Sequence, residues 1–262
     1  MPSYLVTGSS RGLGLAYVEE LLKNPDNYVI ATARNPSKAT ELQTLISKHP
    51  KERAAIVQLD LADVKSIEKA AEEATKLLPE GLDCLLGNAG VSEQPTQSFE
   101  NLNLEIINNT VLIRSFLPLI RKGKAGKFAF ISSVIGSVEL AATMPMLADA
   151  YSVSRAALNM LIRKWGAALK FEGIATAVIH PGMIILLFCC PPSRYDEHLI
   201  ALGWVPATDI GNTIVEWVEK YAPNLPRVPV AESAAGVVKI IGTLTIEETN
   251  SFFSYDGSKL PW

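Results

Sequence analysis

The chain has 262 residues, 48% of them hydrophobic and 19% charged, with 17 glycines and 16 prolines. This composition excludes a disordered or collagen-like chain and is enough to bury one large core, so a single domain is expected. A net charge of −3, from 24 basic and 27 acidic residues with no block of one sign, argues against nucleic acid as a partner.

Cys84, Cys189 and Cys190 form no C-x-x-C pair, so neither a disulfide framework nor a zinc site is suggested, and a reducing, cytoplasmic setting fits. The start of the chain has no basic region and no small-residue cleavage site, so no secretory signal is expected. The longest purely apolar run, Met183 to Cys190, has eight residues, against about 20 for a membrane span.

In chain order, Tyr4-Leu5-Val6 reads as a strand, and Leu13, Ala16, Tyr17 and Leu21 repeat at helical spacing. A second strand, Tyr28 to Thr32, ends at Arg34-Asn35-Pro36, after which Ser37 is expected to cap a helix running to about His49-Pro50. The alternation goes on through Ala55 to Leu59 (strand), Asp63 to Leu78 (helix), Leu82 to Leu86 (strand) and Leu104 to Arg121 (helix). It closes with Phe128 to Ile131 (strand), Ala150 to Phe171 (helix) and Ala175 to Ile179 (strand). These strands are continuous apolar runs, as expected where both faces of a sheet are covered. The pattern predicts an α/β fold, a doubly wound parallel sheet of the Rossmann type, with ligands beyond the carboxyl ends of the strands.

Between the first strand and first helix lies Thr7-Gly8-Ser9-Ser10-Arg11-Gly12-Leu13-Gly14. Glycines there let the backbone approach a pyrophosphate, whose charge is favoured by the free N–H groups and dipole of a helix N-terminus. Any tight strand-to-helix turn also uses glycine, so position matters more than composition. The second strand ends in Thr32-Ala33-Arg34 rather than the acid that grips a ribose in NAD sites. Arg34 and Arg11 suit a 2′-phosphate, and NADP(H) is the expected cofactor.

Together with that turn, Asp60-Leu61, Asn88-Ala89-Gly90, Ser132-Ser133, Tyr151 opening a long helix, and Pro181-Gly182 resemble the short-chain dehydrogenase/reductase family over nearly the whole chain. The ending from Phe252 to Trp262 is similar to fungal members that include norsolorinic acid ketoreductase. The resemblance implies an oxidoreductase acting on a hydrophobic ketone or alcohol, in fungal polyketide or other secondary metabolism, as a homodimer or homotetramer. It implies catalytic roles for Tyr151 as proton donor, Ser133 at the carbonyl oxygen, Asn109 in a water relay with Asn108 as the alternative, and Arg155 where the family has Lys. It also implies cofactor contacts from Gly8, Ser10, Arg11, Gly12, Leu13, Gly14, Arg34, Asp60, Leu61, Asn88, Ala89, Gly90, Tyr151, Arg155, Pro181 and Gly182. Thr208, with Ile184 as the positional fallback, would hold the nicotinamide carboxamide. Asn88, Ala89 and Gly90 are expected to stabilise the central sheet and admit the adenosine ribose rather than to take part in chemistry.

Arg155 is the departure. A guanidinium four residues after Tyr151 can bond ribose hydroxyls and lower the phenol's pKa by its charge, but it cannot pass protons as an ammonium can. Weak turnover with partly retained cofactor binding is expected, which leaves open a dinucleotide-binding sensor or partner protein. A second departure is the stretch 183–203, which looks inserted before family pattern resumes at Trp204. It reads as a substrate lid, as a hydrophobic contact surface or, the favoured reading, as translated non-coding sequence from a faulty gene model. His180 reads as a strand-end residue rather than a base.

Overall fold

The alternating runs assemble into one parallel sheet. The structure, a computed structural model, describes residues 1–89, 106–141, 149–182 and 227–262. Its strands are β1 (Ser3–Val6), β2 (Tyr28–Ala33), β3 (Ala54–Gln58), β4 (Cys84–Gly87), β5 (Lys127–Ile131), β6 (Ala175–His180) and β7 (Ser251–Ser254). They stand in the order β3-β2-β1-β4-β5-β6-β7, every neighbouring pair parallel. The winding reverses between β1 and β4, which places a crevice at their carboxyl ends.

The helices are α1 (Gly12–Leu22), α2 (Thr40–Ser47), α3 (Val64–Leu77), α4 (Ile106–Ile120), α5 (Asp149–Leu169) and α6 (Val230–Thr243). Successive strand residues point to opposite faces, so each strand feeds two cores. Leu5, Ile30, Leu85, Phe128, Phe130 and Val178 pack with Ile67 of α3, Phe116 of α4 and Leu158 of α5. Val6, Val29, Ala31, Leu86, Ala129 and Ile179 pack on the other face with Tyr17 of α1, Leu42 of α2 and Val237 of α6. This two-sided burial is why the strands read as unbroken apolar runs.

Helix starts follow local chemistry. Asp63 caps α3 by accepting from the Lys65 N–H at 2.9 Å. The cap expected at Ser37 is not formed. Asn35-Pro36 first closes a 3₁₀ turn over Pro36–Lys38, Ser37 Oγ donates to Asn35 Oδ1, and α2 begins after Ala39 with no side-chain cap. The expected start of the fourth helix, at Leu104, lies outside the described residues.

Two elements beyond the predicted alternation complete the sheet. Helix α6 buries Ala234, Val237, Ile240 and Ile241 against α1 and the sheet. Strand β7 then pairs with β6, and the Phe252–Trp262 ending folds back over it. Leu260 N–H donates to the Phe252 carbonyl at 2.8 Å, and Phe253 bridges Lys259. The Trp262 ring lies 5.6 Å from that of Phe252, under the guanidinium of Arg163.

Candidate active site

At the carboxyl end of β1 the chain turns through two glycines in left-handed backbone, Gly8 (φ 69°) and Gly12 (φ 58°). A Cβ on Gly8 would lie 2.9 Å from the Ala89 Cα, and one on Gly14 would lie 2.1 Å from the Gly8 carbonyl oxygen and 2.6 Å from Asn88 Nδ2. Gly8 and Gly14 are therefore demanded by close packing. A Cβ on Gly12 would meet nothing within 4 Å, so this glycine answers to its backbone conformation and leaves its side of the turn open.

Hydrogen bonds fasten the turn on both flanks. Ser9 N–H donates to the Thr32 carbonyl at 2.7 Å, and Ser9 Oγ donates back to the Val6 carbonyl. On the β4 side, Thr7 Oγ1 accepts from the N–H groups of Asn88 and Ala89, both at 2.9 Å, while Asn88 Nδ2 donates to the Thr7 and Gly8 carbonyls. Asn88 and Ala89 thus tie β1 to β4, the stabilising role expected of them. The Leu15 N–H bonds back to the Arg11 carbonyl, leaving those of Gly12, Leu13 and Gly14 ahead of the first helical hydrogen bond. No acidic side chain enters the first turn of α1. An open glycine, free helix-start N–H groups and no opposing carboxylate fit a dinucleotide pyrophosphate.

Around this turn, Ser10 and Leu13 are half-buried, and Arg11 and Arg34 are exposed after the adjacent strands β1 and β2. Gln58 Nε2 donates to the Arg34 carbonyl at 3.1 Å, steadying the end of β2. Asp60 Oδ1 accepts from the Ala62 N–H, and the buried Leu61 offers its carbonyl to Asn108 Nδ2 at 2.9 Å. Asn108 therefore donates from its amide to the turn after β3, while Asn109 is buried on α4.

At the far side of the crevice, Ser133 follows β5 in extended backbone and caps the 3₁₀ turn Val134–Gly136. Its side chain is 2% exposed, and Oγ finds no hydrogen-bond partner among the described residues. A buried hydroxyl without a partner is costly in a folded protein and points to an oxygen arriving from outside. The same turn packs tightly on α5, where a Cβ on Gly136 would lie 2.6 Å from the Arg155 Cβ. Tyr151, half-buried, stands one helical turn before Arg155. The Arg155 guanidinium sits over the phenol ring, 4.9 Å from its centroid, and Nε donates to Ser154 Oγ at 3.4 Å.

His180, fully buried at the end of β6, accepts the Val134 N–H on Nδ1 at 3.3 Å. Burial holds its pKa down to about 3, with the charge of Asp256 opposing weakly. A neutral acceptor at a strand end is the structural part expected of it. Pro181 accepts a hydrogen bond from Ser233 Oγ through its carbonyl, and Gly182 turns at φ 91°. Gly90, Ile184, Thr208, Trp204 and the stretch 183–203 lie outside the described residues.

Asn159, which carried no role in the sequence reading, is buried on α5. It accepts from Ser132 Oγ at 2.6 Å and donates from Nδ2 to the Gly136 carbonyl at 3.1 Å. Its one sequence signal is an amide beside Leu158 and Ile162, at apolar helical spacing. Among the described residues no group of three or more His, Cys, Asp or Glu could hold a metal, and no helix is long and apolar enough to cross a membrane.

Known proteins share this fold. The solved NADPH-bound carbonyl reductase from chicken fatty liver is similar at 30% identity and a TM-score of 0.78, with 100% of this chain and 99% of that one covered. A carbonyl reductase of Pseudomonas aeruginosa in complex with NADP is similar at 26% identity and a TM-score of 0.70, covering 100% of both chains. In sequence, the short-chain dehydrogenase/reductase AacuF of Aspergillus aculeatus is 31% identical over 283 residues, covering 99% of each chain. The profile of the family described as short chain dehydrogenase matches residues 3–185, spanning the glycine turn, the β4 clasp, Ser133 and Tyr151. This chain belongs to the short chain dehydrogenase family.

Proposed function

We propose that this oxidoreductase is an NADPH-dependent carbonyl reductase acting on a hydrophobic, polyketide-type ketone in the cytoplasm. The observation that carries the reading is the buried, unpartnered hydroxyl of Ser133, on a turn packed against the helix that presents Tyr151. NADPH, when bound, supplies the hydride that adds to the carbonyl carbon. Ser133 Oγ donates a hydrogen bond to the carbonyl oxygen and fixes its position. Tyr151 Oη gives that oxygen its proton, so the ketone becomes an alcohol. With the cofactor bound, Arg155 would bond the ribose hydroxyls, Asn109 would support a water relay that returns a proton to Tyr151, and Arg11 and Arg34 would receive the 2′-phosphate. Gly8 to Gly14 would hold the pyrophosphate, Asp60 and Leu61 the adenine, and Asn88 and Ala89, with Gly90, its ribose; Pro181 and Gly182, with Thr208 or Ile184, are the residues proposed for the nicotinamide.

NADPH fluorescence on titration, paired with turnover of a ketone and quinone panel, tests this reading. Saturable binding with NADPH-dependent reduction of at least one aromatic ketone is the expected result. Binding without turnover supports the second reading, a dinucleotide-binding sensor or partner protein, which the stacking of Arg155 on the Tyr151 ring favours. The protein is further proposed to pair through α4 and α5. Val153, Met160 and the adjoining Phe171 are 41%, 60% and 91% exposed, and light scattering on the purified chain is expected to give a dimer or tetramer.

A further inference from the structure

The geometry points to Asn159 as a positioning residue, whose carboxamide sets the Ser133 turn at a fixed distance from Tyr151. This inference rests on the reductase reading above. Tyr151, Arg155 and Asn159 are spaced four apart along α5, so they share one helix face. Tyr151 would meet the substrate, and Arg155 packs on Gly136 and on the phenol ring. Asn159, 4% exposed, grips both flanks of Ser133: the Ser132 hydroxyl on one side and the Gly136 carbonyl on the other.

Both polar ends of the amide are used, and both partners belong to a segment whose backbone hydrogen bonds run within its own turn and to β6, while its contact with α5 through Gly136 and Arg155 is one of packing. Within the turn, Gly136 N–H donates to the Ser133 carbonyl and Ser137 N–H to that of Val134, each at 2.9 Å. Toward the sheet, Ser132 N–H donates to the Ile179 carbonyl and Val134 N–H to His180. None of these bonds relates the segment to α5. Asn159 does: its two hydrogen bonds are polar side-chain links between the element bearing the serine and the helix bearing the tyrosine. A buried amide with both ends satisfied rigidifies its surroundings, whereas an apolar side chain of similar size leaves the two elements free to slide on packing contacts. A displacement of about 1 Å between groups that must act on one oxygen costs up to roughly a hundredfold in rate.

The test uses the full chain in its Arg155 and Arg155→Lys forms, each with Asn159→Leu, Ser132→Ala and the pair together. In whichever form turns over, Asn159→Leu is expected to lower kcat by roughly ten- to a hundredfold, with NADPH affinity and KM for NADPH within about twofold. Adding Ser132→Ala to Asn159→Leu is expected to cost little more, because both act through one bond. A lowered melting temperature with kcat unchanged, a parallel loss of kcat and NADPH affinity, or additive effects of the two variants would each overturn the assignment.

Amide hydrogen exchange provides the arm that needs no activity. The Gly136 and Ser137 amides are expected to exchange about tenfold faster in Asn159→Leu while those of β6 keep their protection. If neither form reduces any ketone, the reductase reading fails, and exchange alone decides the clasp: unchanged rates at Gly136 and Ser137 reject it.

Discussion

The two ends of the crevice are built on different principles. At the cofactor end, identity is dictated by space: Gly8 and Gly14 have backbone or amide atoms where a Cβ would go, and Thr7 and Asn88 close the gap with hydrogen bonds. At the reaction end, identity is dictated by chemistry. Arg155 occupies its position without disturbing the fold, packed on Gly136 and over Tyr151, yet a guanidinium handles protons differently from an ammonium. A substitution at the first end is punished by geometry, while one at the second passes unnoticed by the fold and is felt in the reaction.

The sharpest contrast lies inside the glycine turn. Gly14→Ala drives a methyl into the Gly8 carbonyl, and overpacking of about 1–3 kcal/mol corresponds to roughly a five- to hundred-and-fiftyfold loss of NADPH affinity. Gly12→Ala meets open space and is charged only for its left-handed backbone, about 1–2 kcal/mol. Fluorescence titration of both variants checks the order, and equal losses would mean that packing against Asn88 is not what fixes the turn.

At the other end, Arg155→Lys is expected to raise ketone turnover by roughly tenfold or more, since proton transfer by a positioned group is worth at least that. NADPH affinity should stay close to that of the parent. Stopped-flow or steady-state kinetics over the ketone panel reads the change. A variant that binds NADPH but turns over no faster shows that the limit lies elsewhere, with the stretch 183–203 the next place to look by transcript sequencing.

Arg34 tests whether charge, apart from space, selects the dinucleotide. Because it is exposed at the end of β2, its effect is screened, and Arg34→Asp is expected to weaken NADPH by roughly tenfold while leaving or improving NADH. Titration of both cofactors against both proteins measures the ratio, and an unchanged ratio removes Arg34 from the 2′-phosphate site.

What could be read in advance follows the same division. Strands β1 to β6 were legible because burial on both faces makes each an apolar run, and the glycine turn was legible because steric demand leaves one residue type. The cap at Ser37 was misplaced because Pro36 closes a local turn before α2 can start. Helix α6 and β7 are not legible in the same way: β7 is four residues with serine at both ends, too short for a clear apolar run. Asn159 was invisible for a different reason. Its partners stand 27 and 23 residues earlier in the chain, and only the packing of the turn after β5 on α5 brings them within reach.

The smallest effect concerns His180, which belongs to both ends, since β6 supports the Ser133 turn through Val134 and leads to Pro181-Gly182. Its folded pKa of about 3 lies below the ordinary 6.5 because burial penalises the charged ring. Below pH 6.5 the unfolded chain therefore binds a proton that the folded chain does not, and stability falls as pH drops from about 6.5 toward 3. At pH 5.5 the loss from this residue is about 1 kcal/mol. His180→Asn keeps a neutral acceptor for the Val134 N–H and removes the titration. Urea denaturation of both proteins at pH 7.5 and 5.5 is expected to show a smaller acid penalty in the variant. An equal penalty would mean that the folded ring takes up its proton, which the burial at the end of β6 opposes.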